Sequence, residues 1–236
     1  MFLAGFGAGF INAVAGGGSA LTVPLVTLMA NANIANGTIR VAVFFANIAA
    51  VSAYQQGESI AWRRVGRLLP PVLVGSAAGA WTATRLSPEG MQRVFAVVLL
   101  FVALSVVFNA KRWLEDVPAR LSPLWRTIVF VFIGFYGGLV QIGAGILLLT
   151  ALVLGSGFDL LRGNGAKVAL ILSFTVVALP FYFLAGHVDL TLGLVLAAGY
   201  SSGAYLAAKL AVSKGAAWAR WVLVVAAVGS AIRMLI

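Results

Sequence analysis

The stretch Gly9-Phe10-Ile11-Asn12-Ala13-Val14-Ala15-Gly16-Gly17-Gly18-Ser19 decides how the chain must fold. It sits in an uncharged interval running from residue 1 to 39, twice what one crossing of a bilayer needs. Three consecutive glycines interrupt it where a continuous helix would be weakest. A second long interval, 127–158, carries Gly143-Ala144-Gly145 in the same way. Both intervals therefore predict an apolar segment that is broken, and either re-entrant or kinked.

The composition names the solvent around these segments. Of 236 residues 62% are hydrophobic, and with the 27 glycines the apolar share reaches about 73%, against about 45–50% in soluble domains. Charged residues make up 9%, too few to cover the surface of a soluble protein. A soluble enzyme, a disordered tail and a nucleic-acid-binding domain are excluded, and the partner implied throughout is membrane lipid. The net charge of +10 is read as cytoplasmic loops facing anionic lipid. With no cysteine and one histidine, the chain calls for no cofactor and no metal. Met1 to Phe10 lack the basic start of a cleavable signal and are expected to belong to the mature structure.

Uncharged intervals serve as a ruler because an ionised side chain at the bilayer centre is costly. Besides the two long ones they are 41–57, 68–84, 94–110, 168–186, 190–208 and 221–232, each sufficient for one crossing. Sliding the second half back by 127 residues places Gly16 on Gly143, Gly18 on Gly145, Arg40 on Lys167 and Ala42 on Ala169. An offset of 124 then places Gly75 on Gly199, Gly79 on Gly203 and Arg85 on Lys209. The expectation is one membrane domain, 1–236, of two homologous repeats, 1–110 and 127–236, joined by the charged linker 111–126.

Basic residues give the orientation, since cytoplasmic loops collect them. If every interval crosses once, the cations divide evenly between the two faces. If each long interval enters and leaves on one side, twelve cations gather on one face and four on the other. The second arrangement gives three crossings per half, hence inverted repeats with both termini outside. The fold class expected is thus an all-α polytopic membrane protein of two inverted repeats, each with one glycine-broken segment and three transmembrane helices. Eight plain spans are the alternative.

Backbone outside a helix is tolerated at membrane depth only beside protein or a water-filled cavity, so each break is a candidate site. Glycines let the chain approach a ligand, and the helix start that follows points unpaired N–H groups at it, favouring an anion. Gly16, Gly17 and Gly18, with Asn12 and Ser19, form the first candidate, and Gln141, Gly143, Ala144 and Gly145 the second. Arg40 and Lys167 precede equivalent spans and could supply cationic partners. Asn36-Gly37 and Asn164-Gly165 before them read as turn or cap elements. Asn47, Ser173 and Thr175 are polar positions that either line the path or bond a neighbouring helix.

The run Gly9 to Ser19 with Pro24 resembles the glycine signature of the sulfite exporter TauE/SafE family, and Gly138-Leu139-Val140-Gln141-Ile142-Gly143-Ala144-Gly145 resembles its repeated copy. The likeness covers essentially the whole chain, including Ala35 to Tyr54 and Gly57-x-x-Ile60-x-Trp62. It implies a prokaryotic, multi-pass protein of the cell inner membrane that transports small anions such as sulfite, sulfonates or related organosulfur acids. Ala144 and Gln141 depart from the pattern, standing where glycine is common.

All six acids lie at or near segment ends, so no embedded carboxylate offers a proton relay. Export of an anion needs none, since an interior-negative potential favours exit by about 2.3 kcal/mol per charge per 100 mV. His187 is read as a surface residue in a short loop. An intramembrane hydrolase built on Ser19 and His187 lacks a Gly-x-Ser-x-Gly elbow and an acid pair, so the chain is read as a transporter and not an enzyme. A channel and a non-transporting assembly subunit are the other readings. Gly75-x-x-x-Gly79 and Gly199-x-x-x-Gly203 are close-packing motifs that serve either the monomer or a homodimer.

Overall fold

The computed structural model describes residues 1–109 and 121–235, and every regular element among them is helical. Most of the linker 111–126 lies outside the described residues. The first part contains α1 (Phe2–Val14), α2 (Ser19–Thr27), α3 (Ala32–Gln56), α4 (Trp62–Ala83) and α5 (Pro88–Asn109). The second contains α6 (Pro123–Leu139), α7 (Ala144–Thr150) continued by a π-helical turn (Ala151–Gly155), α8 (Leu160–Leu184) and α9 (Leu190–Leu235). Helix α9 is interrupted at Gly215.

Three described helices are long and apolar enough to cross a membrane: α3, α8 and the first part of α9, Leu190–Gly215. The shorter apolar helices α1, α6 and Ala144–Gly155 flank the two breaks.

Helices α3 and α8 begin with side-chain caps. Asn31 accepts from Ile34 N at 3.0 Å and Asp159 from Arg162 N at 2.8 Å. This corrects the turn or cap reading of Asn36-Gly37 and Asn164-Gly165, which lie buried inside α3 and α8. The helices start well before Arg40 and Lys167, so a ruler that stops at each charge sets their beginnings too late.

Packing crosses between the two parts. Helix α1 lies on α9, α6 on α4, α3 on both α8 and α9, and α4 on α8. Small residues make the first two contacts close. A β-carbon on Gly75 or Gly79 of α4 would strike the Val131 or Phe135 carbonyl of α6, and one on Gly134 or Gly138 of α6 would strike Val72 or Ser76 of α4. Gly199 and Gly203 of α9 meet Phe2 and Phe6 of α1 in the same way, while Gly5 and Gly9 answer against Leu196 and Tyr200. Without side chains between them, the backbones gain dispersion contact along the helices, the main attraction available where lipid is as apolar as protein. Both glycine motifs are therefore used within the chain. Exposed Leu3, Val74, Phe132 and Leu184 face outward, as a lipid-facing surface requires.

Candidate functional site

Each break is made by a left-handed residue that stops one helix before the next begins. Gly16 has φ 81° and Gly143 has φ 70°, values open to glycine at no steric cost. Gln141 adopts φ 65° in the second break, which explains why glycine suits that position better. The helices before both breaks end alike. Gly16 N reaches back to Ile11 O and Asn12 O, and Gln141 N to Tyr136 O.

The two breaks touch. A β-carbon on Gly145 would lie 2.5 Å from Gly16 Cα, and one on Gly17 would lie 3.4 Å from the Ile146 side chain. The structure thus brings Gly16 of the first candidate set against Gly145 of the second, with Gly17 beside the neighbouring Ile146. Gly18 turns the other way, against the Ala8 carbonyl and the Asn12 side chain. Among the described backbone bonds, none involves the N–H of Gly17, Gly18 or Ser19, nor that of Gly145. Asn12, Ser19, Gln141, Gly143, Ala144 and Gly145 are all buried.

Arg40 and Lys167 are wholly buried, and their partners are unlike those expected from sequence. Arg40 donates to the carbonyls of Gly137 (2.9 Å) and Gly138 (2.7 Å), and its guanidinium stacks on the Tyr182 ring at 4.4 Å. Lys167 donates to the carbonyls of Asn12 (3.0 Å) and Ala13 (2.9 Å) and to Asn164 Oδ1 (2.7 Å). Each cation therefore sits at the carboxyl end of the first helix of the opposite part. That end carries partial negative charge and unpaired carbonyls, which is why a charge can be buried there without a carboxylate. Both stand behind the breaks. Arg40 Nε is buried without a partner.

Sequence reasoning missed Tyr182 and Asn36 as members of this cluster. The Tyr182 hydroxyl lies 2.9 Å from both the Gly138 and Leu139 carbonyls, and Asn36 Nδ2 donates to Leu139 O (2.8 Å) and to the Tyr182 hydroxyl (2.9 Å). A lone phenol in an apolar span was the available signal, since a buried tyrosine hydroxyl needs a partner.

The remaining polar candidates divide. Asn47 and Ser173 bond their own helices, at Val43 O (2.7 Å) and Ala169 O (2.8 Å). Gln141 Nε2 donates to Thr175 Oγ1 at 3.3 Å, and its Oε1 is buried without a partner. His187 is half-buried in the loop before α9, where burial lowers its pKa below the ordinary 6.5. The four described acids all lie at helix ends: Glu58 after α3, Glu89 in the first turn of α5, and Asp159 and Asp189 before α8 and α9.

Two of the clefts in the molecule lie apart from the breaks. One of about 460 Å³ is lined by Val129, Phe132, Leu147 and Leu154, and one of about 340 Å³ by Pro24, Asn31, Glu89 and Phe95.

The family model described as Sulfite exporter TauE/SafE matches residues 1–234. A probable membrane transporter protein of Haemophilus influenzae is 31% identical over 220 residues, spanning 91% of this chain and 85% of that one. A probable membrane transporter protein, ORF9, of Sinorhizobium sp is 28% identical over 242 residues, spanning 100% and 91%. The probable membrane transporter protein YfcA of Escherichia coli K12 is 28% identical over 243 residues, spanning 98% and 87%. No solved structure matches the chain.

Proposed function

This chain belongs to the sulfite exporter TauE/SafE family of membrane transporters, and we propose from that premise that it exports small anions, with sulfite, sulfonates and related organosulfur acids as the substrate class. It works in the cell inner membrane of a prokaryote. The observation that carries the reading is the contact of Gly16 with Gly145, which sets two helix starts with unpaired N–H groups side by side. Paired helix starts favour negative charge. Neither needs a metal or a cofactor.

The two parts act as inverted repeats, and transport is alternating access between them. The touching breaks represent a closed state, and a substrate enters when they part. Asn12, Ser19 and Gln141 then orient the anion beside the amides of Gly17, Gly18 and Gly145. Arg40 and Lys167 contribute positive potential from behind rather than direct contact, because the terminal nitrogens of Arg40 and the ammonium of Lys167 are held by carbonyls.

Radiolabelled sulfite flux into proteoliposomes tests this. A β-carbon on Gly17 meets only the end of the Ile146 side chain, so Gly17→Leu is expected to remain folded and lose flux. Wild-type protein that moves no sulfite or sulfonate, or a folded Gly17→Leu protein that moves them normally, refutes the reading.

A further inference from the structure

Arg40 and Lys167 hold equivalent ends with different chemistry. The guanidinium keeps its charge under all physiological conditions, whereas an ammonium out of water can release a proton. Lys167 has three N–H groups and three acceptors, Asn12 O, Ala13 O and Asn164 Oδ1, each within 3.0 Å. All three acceptors are neutral. The ion pair of Arg162 with Asp159 lies at the exposed start of α8.

The surroundings isolate this group. Helix α8 packs against α1, α3, α4, α6, α7, the π-helical turn and α9. Neither α1, α7 nor the π-helical turn contains a titratable residue. From α3, Tyr54 places its hydroxyl 3.4 Å from Ala13 O, and Arg40 is held at the other break. From α4, Arg64 reaches the carbonyls of Ser156 and Gly157. Tyr136 of α6 bonds Ile142 O, and Tyr200 of α9 bonds Thr22. On α8 itself Tyr182 faces Arg40.

We propose that Lys167 is a proton-carrying latch: protonated, it holds the end of α1 at the first break, and deprotonated it releases it, while Arg40 holds the second break throughout. The proton leaves Nζ for water on the side to which the parting break opens. The neutral amine keeps two N–H donors and gains a lone pair, so it cannot satisfy three acceptors, and the lone pair repels the carbonyl it faces. Two N–H groups shared among three acceptors leave the Asn12 or the Ala13 carbonyl under-bonded, and the turn that carries the Gly16 N–H loosens. Anion movement through the breaks thereby becomes linked to a proton without any embedded carboxylate. The linkage to flux rests on the transporter reading above; the latch does not.

Amide hydrogen exchange on the full chain in lipid nanodiscs tests the latch, with the second break as internal control. Between about pH 6 and 9, the range in which lysines buried away from water lose their proton, protection of residues 14–16 relative to 140–141 is expected to fall roughly tenfold in the wild type. Lys167→Arg should make the ratio flat. The reciprocal Arg40→Lys should give the second break a pH dependence of its own, which keeps the idea testable if Lys167→Arg does not fold. A flat wild-type ratio overturns the latch, as does a Lys167→Arg protein that behaves like the wild type. In proteoliposomes, sulfite flux is expected to respond to an imposed pH gradient. Flux indifferent to the gradient overturns the linkage. Complete absence of flux instead refutes the transporter reading, and the exchange result still decides the latch.

Discussion

Arg40 and Lys167 cap each other's half of the molecule: the first closes the end of α6 through Gly137 and Gly138, the second the end of α1 through Asn12 and Ala13. The two breaks are held by this exchange as well as by their own contact. Removing either cation takes one donor from each of two buried carbonyls.

Lys167→Met is therefore expected to destabilise the protein by about 2–3 kcal/mol, the cost of withdrawing a charged donor from buried acceptors. Arg40→Met should cost at least as much, because the stacking on Tyr182 is lost too. Thermal unfolding in detergent checks both. Tyr182→Phe should cost about 1 kcal/mol and be non-additive with Arg40→Met, since the two side chains touch.

The contact between the breaks predicts a sharp difference between neighbouring glycines. Gly16→Ala combines a left-handed backbone with a collision against Gly145 and is expected to lose about 2–4 kcal/mol. Gly17→Ala meets only the Ile146 side chain at 3.4 Å and should unfold like the wild type. Equal melting temperatures for the two variants would contradict the packing described.

Helix α4 offers a matched pair. Gly75→Ala drives a methyl into the Val131 carbonyl and should separate α4 from α6, whereas Gly66→Ala meets nothing within 4 Å. The latter should gain up to about 1 kcal/mol from helix propensity. The changes in unfolding free energy relative to the wild type should be opposite in sign.

Gln141→Gly relieves the positive φ and removes an oxygen buried without a partner, at the loss of one bond to Thr175. A net gain of about 1 kcal/mol is expected. A loss of stability would mean that the Thr175 bond dominates.

Burial lowers the His187 pKa below 6.5, so the unfolded chain takes up the proton first as pH falls. Stability contributed by this group is present above about pH 7 and declines as pH drops through the ordinary histidine range. His187→Gln should flatten the acid side of a plot of melting temperature against pH.

The broad plan of helices was legible in the sequence, because apolar intervals and glycine clusters report directly on helix length and interruption. The positions of Gly16 and Gly143 were readable for that reason. Helix starts were not, since charge was taken as a boundary; Arg40 and Lys167 lie inside helices because carbonyls eight dozen or more residues away in sequence neutralise the cost. Such a partner leaves no local mark. Tyr182 was overlooked for the same reason, and the commitment of Asn47 and Ser173 to their own helices depends on rotamers that a sequence does not specify.

The close packing of α1 on α9 bears on how the protein is made. Helix α1, Phe2–Val14, is synthesised long before its main neighbour, a segment that begins at Leu190. Until that late segment arrives, Gly5 and Gly9 have no backbone to lie against. Biogenesis must therefore keep the amino-terminal helix waiting at the bilayer, and a chain truncated before Leu190 should fail to settle its own beginning.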